Sequence, residues 1–167
     1  MLLSFILLAL TNPAQATGAG APCPNEQIHF SAADDRVNCP IAIPDDVAAI
    51  LRSDPDISRH LQNGTLPATW FSATEVHLAG KTERDIIVMA AGPLRTADAT
   101  TFWVFRPTAQ GHELILTATA RDLILTHKRD GDYRIIETDS RSSTHRRTAR
   151  YRFEGRHYTV FEDTGWL

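Results

Sequence analysis

The chain has 167 residues, a formal net charge of −3 and an apolar fraction of 43%. This length is sufficient for one domain with a substantial core, and the ordinary apolar fraction excludes a fibrous or largely disordered protein. The acidic balance also argues against nucleic acid as a partner, because nucleic acid attracts basic surfaces.

Residues 1–16, MLLSFILLALTNPAQA, have the features of a secretory signal peptide. The apolar run from Leu2 to Leu10 is too short to span a bilayer, and an A-x-A pattern of small residues follows it. We therefore expect cleavage after Ala16, a periplasmic or secreted protein, and no membrane span elsewhere. A buried N-terminal segment is the alternative interpretation.

Residues 17–42 are predicted to be a loop region that carries the two cysteines of the chain, Cys23 and Cys39. In an oxidising compartment the two are expected to form a disulfide, which would stabilise the fold by ~3 kcal/mol. Two thiols do not complete a tetrahedral metal site, so we predict neither a metal nor another cofactor.

Residues 43–167 are predicted to form a single α+β domain that begins with two short helices. Asp45 or Asp46 is suited to cap the first helix, and Asp54 followed by Pro55 is a typical start for the second. Gly64 is the predicted end of this helical pair.

From Trp70 onward, apolar and polar residues alternate as they do in β-strands. Hairpin turns are predicted at three pairs of residues, Gln110–Gly111, Asp130–Gly131 and Glu154–Gly155.

A weak internal repeat is visible when Ile87 is aligned with Ile135 and Phe105 with Phe153, since both pairs have the same offset. It suggests two degenerate strand-plus-hairpin units, too few to close a propeller. The predicted fold is therefore α+β but mostly β, a twisted antiparallel sheet or small sandwich with the helical pair covering one face.

Three stretches carry a resemblance to a known family: VHLAGKTERDIIVMAAGPL, TTFWVFRPTAQGHELIL and YRFEGRHY. They resemble uncharacterised exported bacterial proteins with a degenerate FG-GAP (VCBS-like) repeat unit, whose loops bind calcium through several oxygen ligands. Here the ligand positions hold His77, Ala79 and Lys81, and only Asp85 matches. The family's calcium is therefore not expected, and we predict a plain turn in which Asp85 binds loop amides or pairs with Arg84 or Arg121.

No catalytic motif is recognised in the sequence. It lacks a nucleophile elbow, a zinc-protease motif and a phosphate-binding loop. This favours a protein that is not an enzyme. The alternative is an envelope-polymer hydrolase with acids such as Asp85 or Asp122 near the strand ends, since catalytic groups need not be close in sequence.

The Arg-rich stretch of residues 141–156 contains six Arg and a single Glu. Strand alternation places Arg146, Arg150 and Arg152 on one face, either as a docking strip for an anionic partner or as a solvated face that protects an edge strand. Trp103 is either a core residue or an exposed binding shelf. We thus predict an exported binding protein, such as an inhibitor or immunity-type protein, whose partner is a protein or an anionic envelope polymer.

Overall fold

The computed structural model describes residues 25–61, 63–142 and 144–166. In this part of the chain it contains nine strands and two short α-helices. The strands are β1 (His29–Ser31), β2 (Phe71–Val76), β3 (Asp85–Ala90), β4 (Thr100–Thr108), β5 (Gly111–Ala120), β6 (Asp122–Asp130), β7 (Tyr133–Arg141), β8 (Arg146–Glu154) and β9 (His157–Trp166). The helices are α1 (Asp45–Ser53) and α2 (Pro55–Ser58). The predicted signal peptide lies outside the described residues.

The strands form two antiparallel sheets. The four-stranded sheet has the order β2-β3-β4-β5, and the five-stranded sheet has the order β1-β6-β7-β8-β9. Each sheet is thus built on four consecutive strands joined to their neighbours along the chain. The prediction of a mostly β, α+β fold with a short N-terminal helical pair is confirmed.

The helices and the two sheets make three layers. On one face of the four-stranded sheet, Val47 and Leu51 of α1 pack against Val88 and Phe105. The other face packs against the five-stranded sheet through a core whose large members include Ile87, Met89, Phe102, Leu123, Leu125 and Ile136. Because both faces of β3 are covered, its sequence DIIVMA is a continuous apolar run after the first residue.

The helix starts differ from each other. Asp54 caps α2 as predicted, accepting a hydrogen bond from the Asp56 amide at 2.8 Å. The predicted acidic cap of α1 is wrong, since Pro44 occupies the cap position without a side-chain hydrogen bond. Asp46 instead accepts hydrogen bonds from the amide of His112 at 2.7 Å and pairs with its ring at 2.9 Å, which ties α1 to the β4–β5 hairpin.

The three predicted hairpins are present, and each of their turns places a glycine at a positive φ, which is 120° for Gly111. Gly131 has a φ of 59° and Gly155 a φ of 69°, in the left-handed region that side chains other than glycine rarely adopt. These turns set the ends of β6–β7 and β8–β9, and therefore the positions of the residues discussed below.

Part of the region predicted as a loop belongs to the sandwich. Residues 29–31 form β1, which pairs with β6, and Phe30 is fully buried in the core between the sheets. Ile41 makes a further bridge to Ala73 at the edge of the four-stranded sheet.

The internal repeat is misaligned by one residue in β7. Ile87 is fully buried between the sheets, but its aligned partner Ile135 is only half-buried, and Ile136 takes the buried position. Phe105 packs beneath the helices, whereas Phe153 stacks on Tyr133 next to the core between the sheets. A shift of one residue in a strand moves each side chain to the opposite face of the sheet, and aligning similar residues in the sequence does not reveal such a shift.

The Cys23–Cys39 disulfide stays a prediction, because Cys23 lies outside the described residues. Cys39 lies in a loop beside β2, and the hydroxyl of Thr74 in β2 donates a hydrogen bond to the Cys39 carbonyl at 3.2 Å. Cys39→Ser should lower the free energy of unfolding by about 2–5 kcal/mol, measured by urea denaturation. Reduced wild type should match the variant, and two thiols that react with an alkylating reagent before reduction would contradict the pairing.

Candidate functional site

The predicted arginine row lies on the outer face of the five-stranded sheet. Here Arg150 is central, because its guanidinium bridges Glu137 of β7 and Glu162 of β9, each at 2.8 Å. The register places both carboxylates directly opposite Arg150. Three strands are therefore joined by one row of charges.

The other two arginines of the row are also neutralised within the chain. Arg146 pairs with Asp139 at 2.8 Å, and Arg152 pairs with Glu154 at 2.8 Å. Hydrogen bonding to Arg152 lowers the pKa of Glu154. The outer face is therefore a mixed-charge surface rather than a basic strip, because each predicted docking arginine already has an acidic partner.

An open apolar pocket of about 460 Å³ lies beside this row of charges. Its apolar side chains come from the residue before β1 and from strands β6, β7 and β9: Ile28, Ile124, Ile135 and Phe161. Glu137, Arg150, Glu162 and Lys128 supply the charged part of the lining. Apolar walls with a few fixed polar groups are typical of binding sites.

Phe161 and the preceding Val160 are the two large apolar residues that the described chain leaves exposed, at 41% and 50%. A β-bulge explains their position. Opposite β8, the register of β9 passes from Val160 to Glu162, so Phe161 is the extra residue. Since β9 is also an edge strand, the bulge presents this aromatic ring at an accessible border of the sheet.

Trp103 is a core residue, which confirms one of the two alternatives predicted for it, and the alternative of an exposed binding shelf is wrong. Its side chain lies under the helices and is 3% exposed. The indole N–H donates to the Asp54 carboxylate at 3.0 Å, and the ring packs against Phe71. An indole that is almost fully buried, with a satisfied donor, fixes α2 on the sheet and leaves little of its surface for a ligand.

The turn that resembles a calcium loop joins β2 to β3 and forms hydrogen bonds to the five-stranded sheet. Asp85 is fully buried at the start of β3 and accepts a hydrogen bond from the Leu78 amide at 2.9 Å. The predicted bond between Asp85 and a loop amide is therefore present. The Leu78 carbonyl in turn accepts from the Arg134 amide at 3.0 Å and from the Arg129 guanidinium at 3.1 Å. Arg84 pairs with Glu75 instead of Asp85.

Three histidines pair with acids, but they do so at separate places. The pairs are His29–Asp122 at 3.3 Å, His77–Glu26 at 3.3 Å and His112–Asp46 at 2.9 Å. Within the described residues, none of these rings also forms a hydrogen bond with a serine or threonine side chain. The two acids named for a hydrolase also lie far from each other along β6. Asp122 begins this strand, whereas Asp85 bonds to Leu78, which contacts Arg129 at the end of the strand.

Across the described ranges, no group of three His, Cys, Asp or Glu side chains is placed to hold a metal ion. None of the helices in those ranges is long and apolar enough to cross a membrane.

Comparisons of the chain with family models, curated proteins and solved structures found no match. The resemblance to FG-GAP proteins therefore stays a prediction. The candidate site consequently depends on geometry, and the residues it adds, Phe161 and the acids opposite Arg150, were missed by sequence reasoning. The adjacent apolar residues Val160 and Phe161, which break the alternation of β9, were the available signal.

Proposed function

We propose that the protein is an exported, non-enzymatic binding protein that docks a partner protein on the outer face of its five-stranded sheet. The observation that carries the proposal is the exposed ring of Phe161 beside an apolar pocket of about 460 Å³. Aromatic anchors next to pockets, surrounded by a polar rim, are typical of the residues that dominate binding between proteins.

The charges on this face favour a protein surface over an anionic polymer. An anionic polymer gains most where cations are free, but Arg146, Arg150 and Arg152 are each held by carboxylates of the same face. Among the described residues, Lys128 is the one lysine or arginine of the pocket lining without an ion pair. Such a polymer would have to displace those acids or approach them closely. A partner with an apolar side chain and a polar rim fits without breaking the pairs, which then serve specificity.

Photo-crosslinking from position 161 tests the proposal. A benzoylphenylalanine in place of Phe161 should give one discrete protein adduct in the envelope of the producing cell. The same probe at Gln110, an exposed turn residue of the other sheet, is the matched control and should not give that adduct. Equal adducts at both positions, or none at position 161, would contradict docking on this face.

Phe161→Ser provides an independent measurement with the partner identified by its adduct. The change should weaken partner binding by about tenfold or more, the effect of losing a hot-spot side chain. The melting temperature should change little, since the ring is already exposed. If this variant bound the partner with wild-type affinity, Phe161 would not be the anchor of the interface.

A further inference from the structure

A second pocket lies on the opposite layer of the molecule, between the loop of residues 35–43, α1 and the segment of residues 66–73. Its volume is about 570 Å³, and it shares no lining residue with the pocket beside Phe161. The walls are largely apolar, with Ile41, Ile43, Leu66, Phe71 and Ala73 among them. This volume falls in the range of about 300–1,000 Å³ that is typical of small-molecule sites.

Two arginines of this pocket, Arg36 and Arg52, differ from those of β8. Both line the pocket, both are exposed, and neither forms an ion pair or a side-chain hydrogen bond within the described residues. The one acid in the lining, Asp35, is engaged by Arg95 at 2.7 Å. The lining therefore carries two arginines without an ion pair in the described chain, while its one acid is already paired.

We propose that this pocket binds a small amphiphilic carboxylate. The apolar walls would cover its hydrocarbon tail, since removing apolar surface from water is favourable. Arg36 and Arg52 would hold the carboxylate, because guanidinium groups bind carboxylates through paired, charge-assisted hydrogen bonds. This inference does not depend on the sheet-face proposal, because the two sites have no residue in common.

Isothermal titration calorimetry of the full mature chain with three probes tests the chemistry. Decanoate should bind, acetate should give no measurable binding because it lacks a tail, and decanol should bind at least about tenfold more weakly because it lacks the charge. Added salt should weaken the binding of decanoate but not that of decanol. No binding of decanoate, or equal affinity for decanoate and decanol, would overturn the proposal.

The double variant Arg36→Gln/Arg52→Gln locates the anion site. It should weaken decanoate binding by about tenfold or more, leave decanol binding unchanged, and keep the melting temperature of the wild type, since both side chains are exposed and unpaired. Lys81→Gln/Lys128→Gln is the matched control. It removes two cations that are also without ion pairs in the described chain, and Lys128 lines the pocket beside Phe161. Equal losses in both double variants would overturn the assignment.

Ala48→Trp tests whether the hydrocarbon tail of the ligand lies in this pocket, because it adds a bulky side chain on the α1 wall. Ala48 lies on α1 and lines the pocket, so an indole at this position should occupy the space of the ligand. The variant should lose affinity for decanoate and decanol together, while crosslinking from position 161 persists. A variant that melts like the wild type and still binds both probes would place the ligand elsewhere.

Discussion

Ile87→Ala should lower the free energy of unfolding by about 2–5 kcal/mol, the usual cost of removing most of a fully buried isoleucine side chain. Ile87 lies in β3, opposite Val104 of β4, and packs in the core between the sheets. Both sheets are anchored by this core, so the lost contacts cannot be recovered by a local movement. Urea denaturation with unchanged slope gives the measurement.

Ile135 and Ile136 provide a matched pair for the same experiment, because they are identical residues adjacent in β7. Ile136 is fully buried between the sheets, and Ile136→Ala should again cost about 2–5 kcal/mol. Ile135 lines the open pocket on the outer face, so Ile135→Ala should cost less than about 1 kcal/mol. Equal costs for the two variants would contradict the register of β7 and the open outer face.

Local chemistry made part of this fold predictable from the sequence. Asp54 followed by Pro55 specifies a helix start through atoms within three residues of each other. The turn glycines Gly131 and Gly155 act equally locally, since they adopt a backbone conformation that other residues avoid. Such signals do not depend on how distant parts of the chain meet.

The outcome at the candidate site depended on contacts between distant residues. Alternation correctly placed Arg150 on one face of β8, but its neutralisation depends on Glu137 and Glu162, which arrive through the pairing of three strands. Trp103 is covered because α2 folds over the sheet, which no pattern within β4 indicates. The bulge at Phe161 likewise becomes visible only when β9 is registered against β8.

The second large effect is expected at Asp85, a carboxyl group that the fold buries completely. Burial raises its pKa from 3.8 to about 6, the Leu78 and Ala79 amides and His77 act in the opposite direction, and Glu83 adds to the increase. One carboxyl oxygen, Oδ1, has no hydrogen-bond partner within the described chain. Ionised Asp85 therefore lacks full compensation for its lost hydration.

The sign of the pH effect follows from which state binds the proton more tightly. The folded protein keeps the Asp85 proton up to a pH of about 6, while the unfolded chain releases it near 3.8. Between these two pKa values the folded state binds more protons than the unfolded state, so the contribution of Asp85 to stability falls as pH rises. Above the folded pKa of about 6 this contribution no longer changes with pH. At 1.36 kcal/mol for each pH unit, the total loss is up to about 3 kcal/mol.

Asp85→Asn should remove this dependence, because asparagine cannot ionise but its carbonyl can still accept the Leu78 amide. Between pH 4 and pH 7, the wild type should lose about 2 kcal/mol relative to this variant in urea denaturation, because part of the total loss already occurs below pH 4. The comparison cancels the other carboxylates, including Asp46 and Asp163, whose pKa values are lowered in both proteins. Asp85→Ala should show the same pH profile as Asp85→Asn at lower overall stability, since it also loses the acceptor. Parallel pH curves for the wild type and Asp85→Asn would show that Asp85 titrates alike in the folded and unfolded chains, and that its burial imposes no ionisation cost.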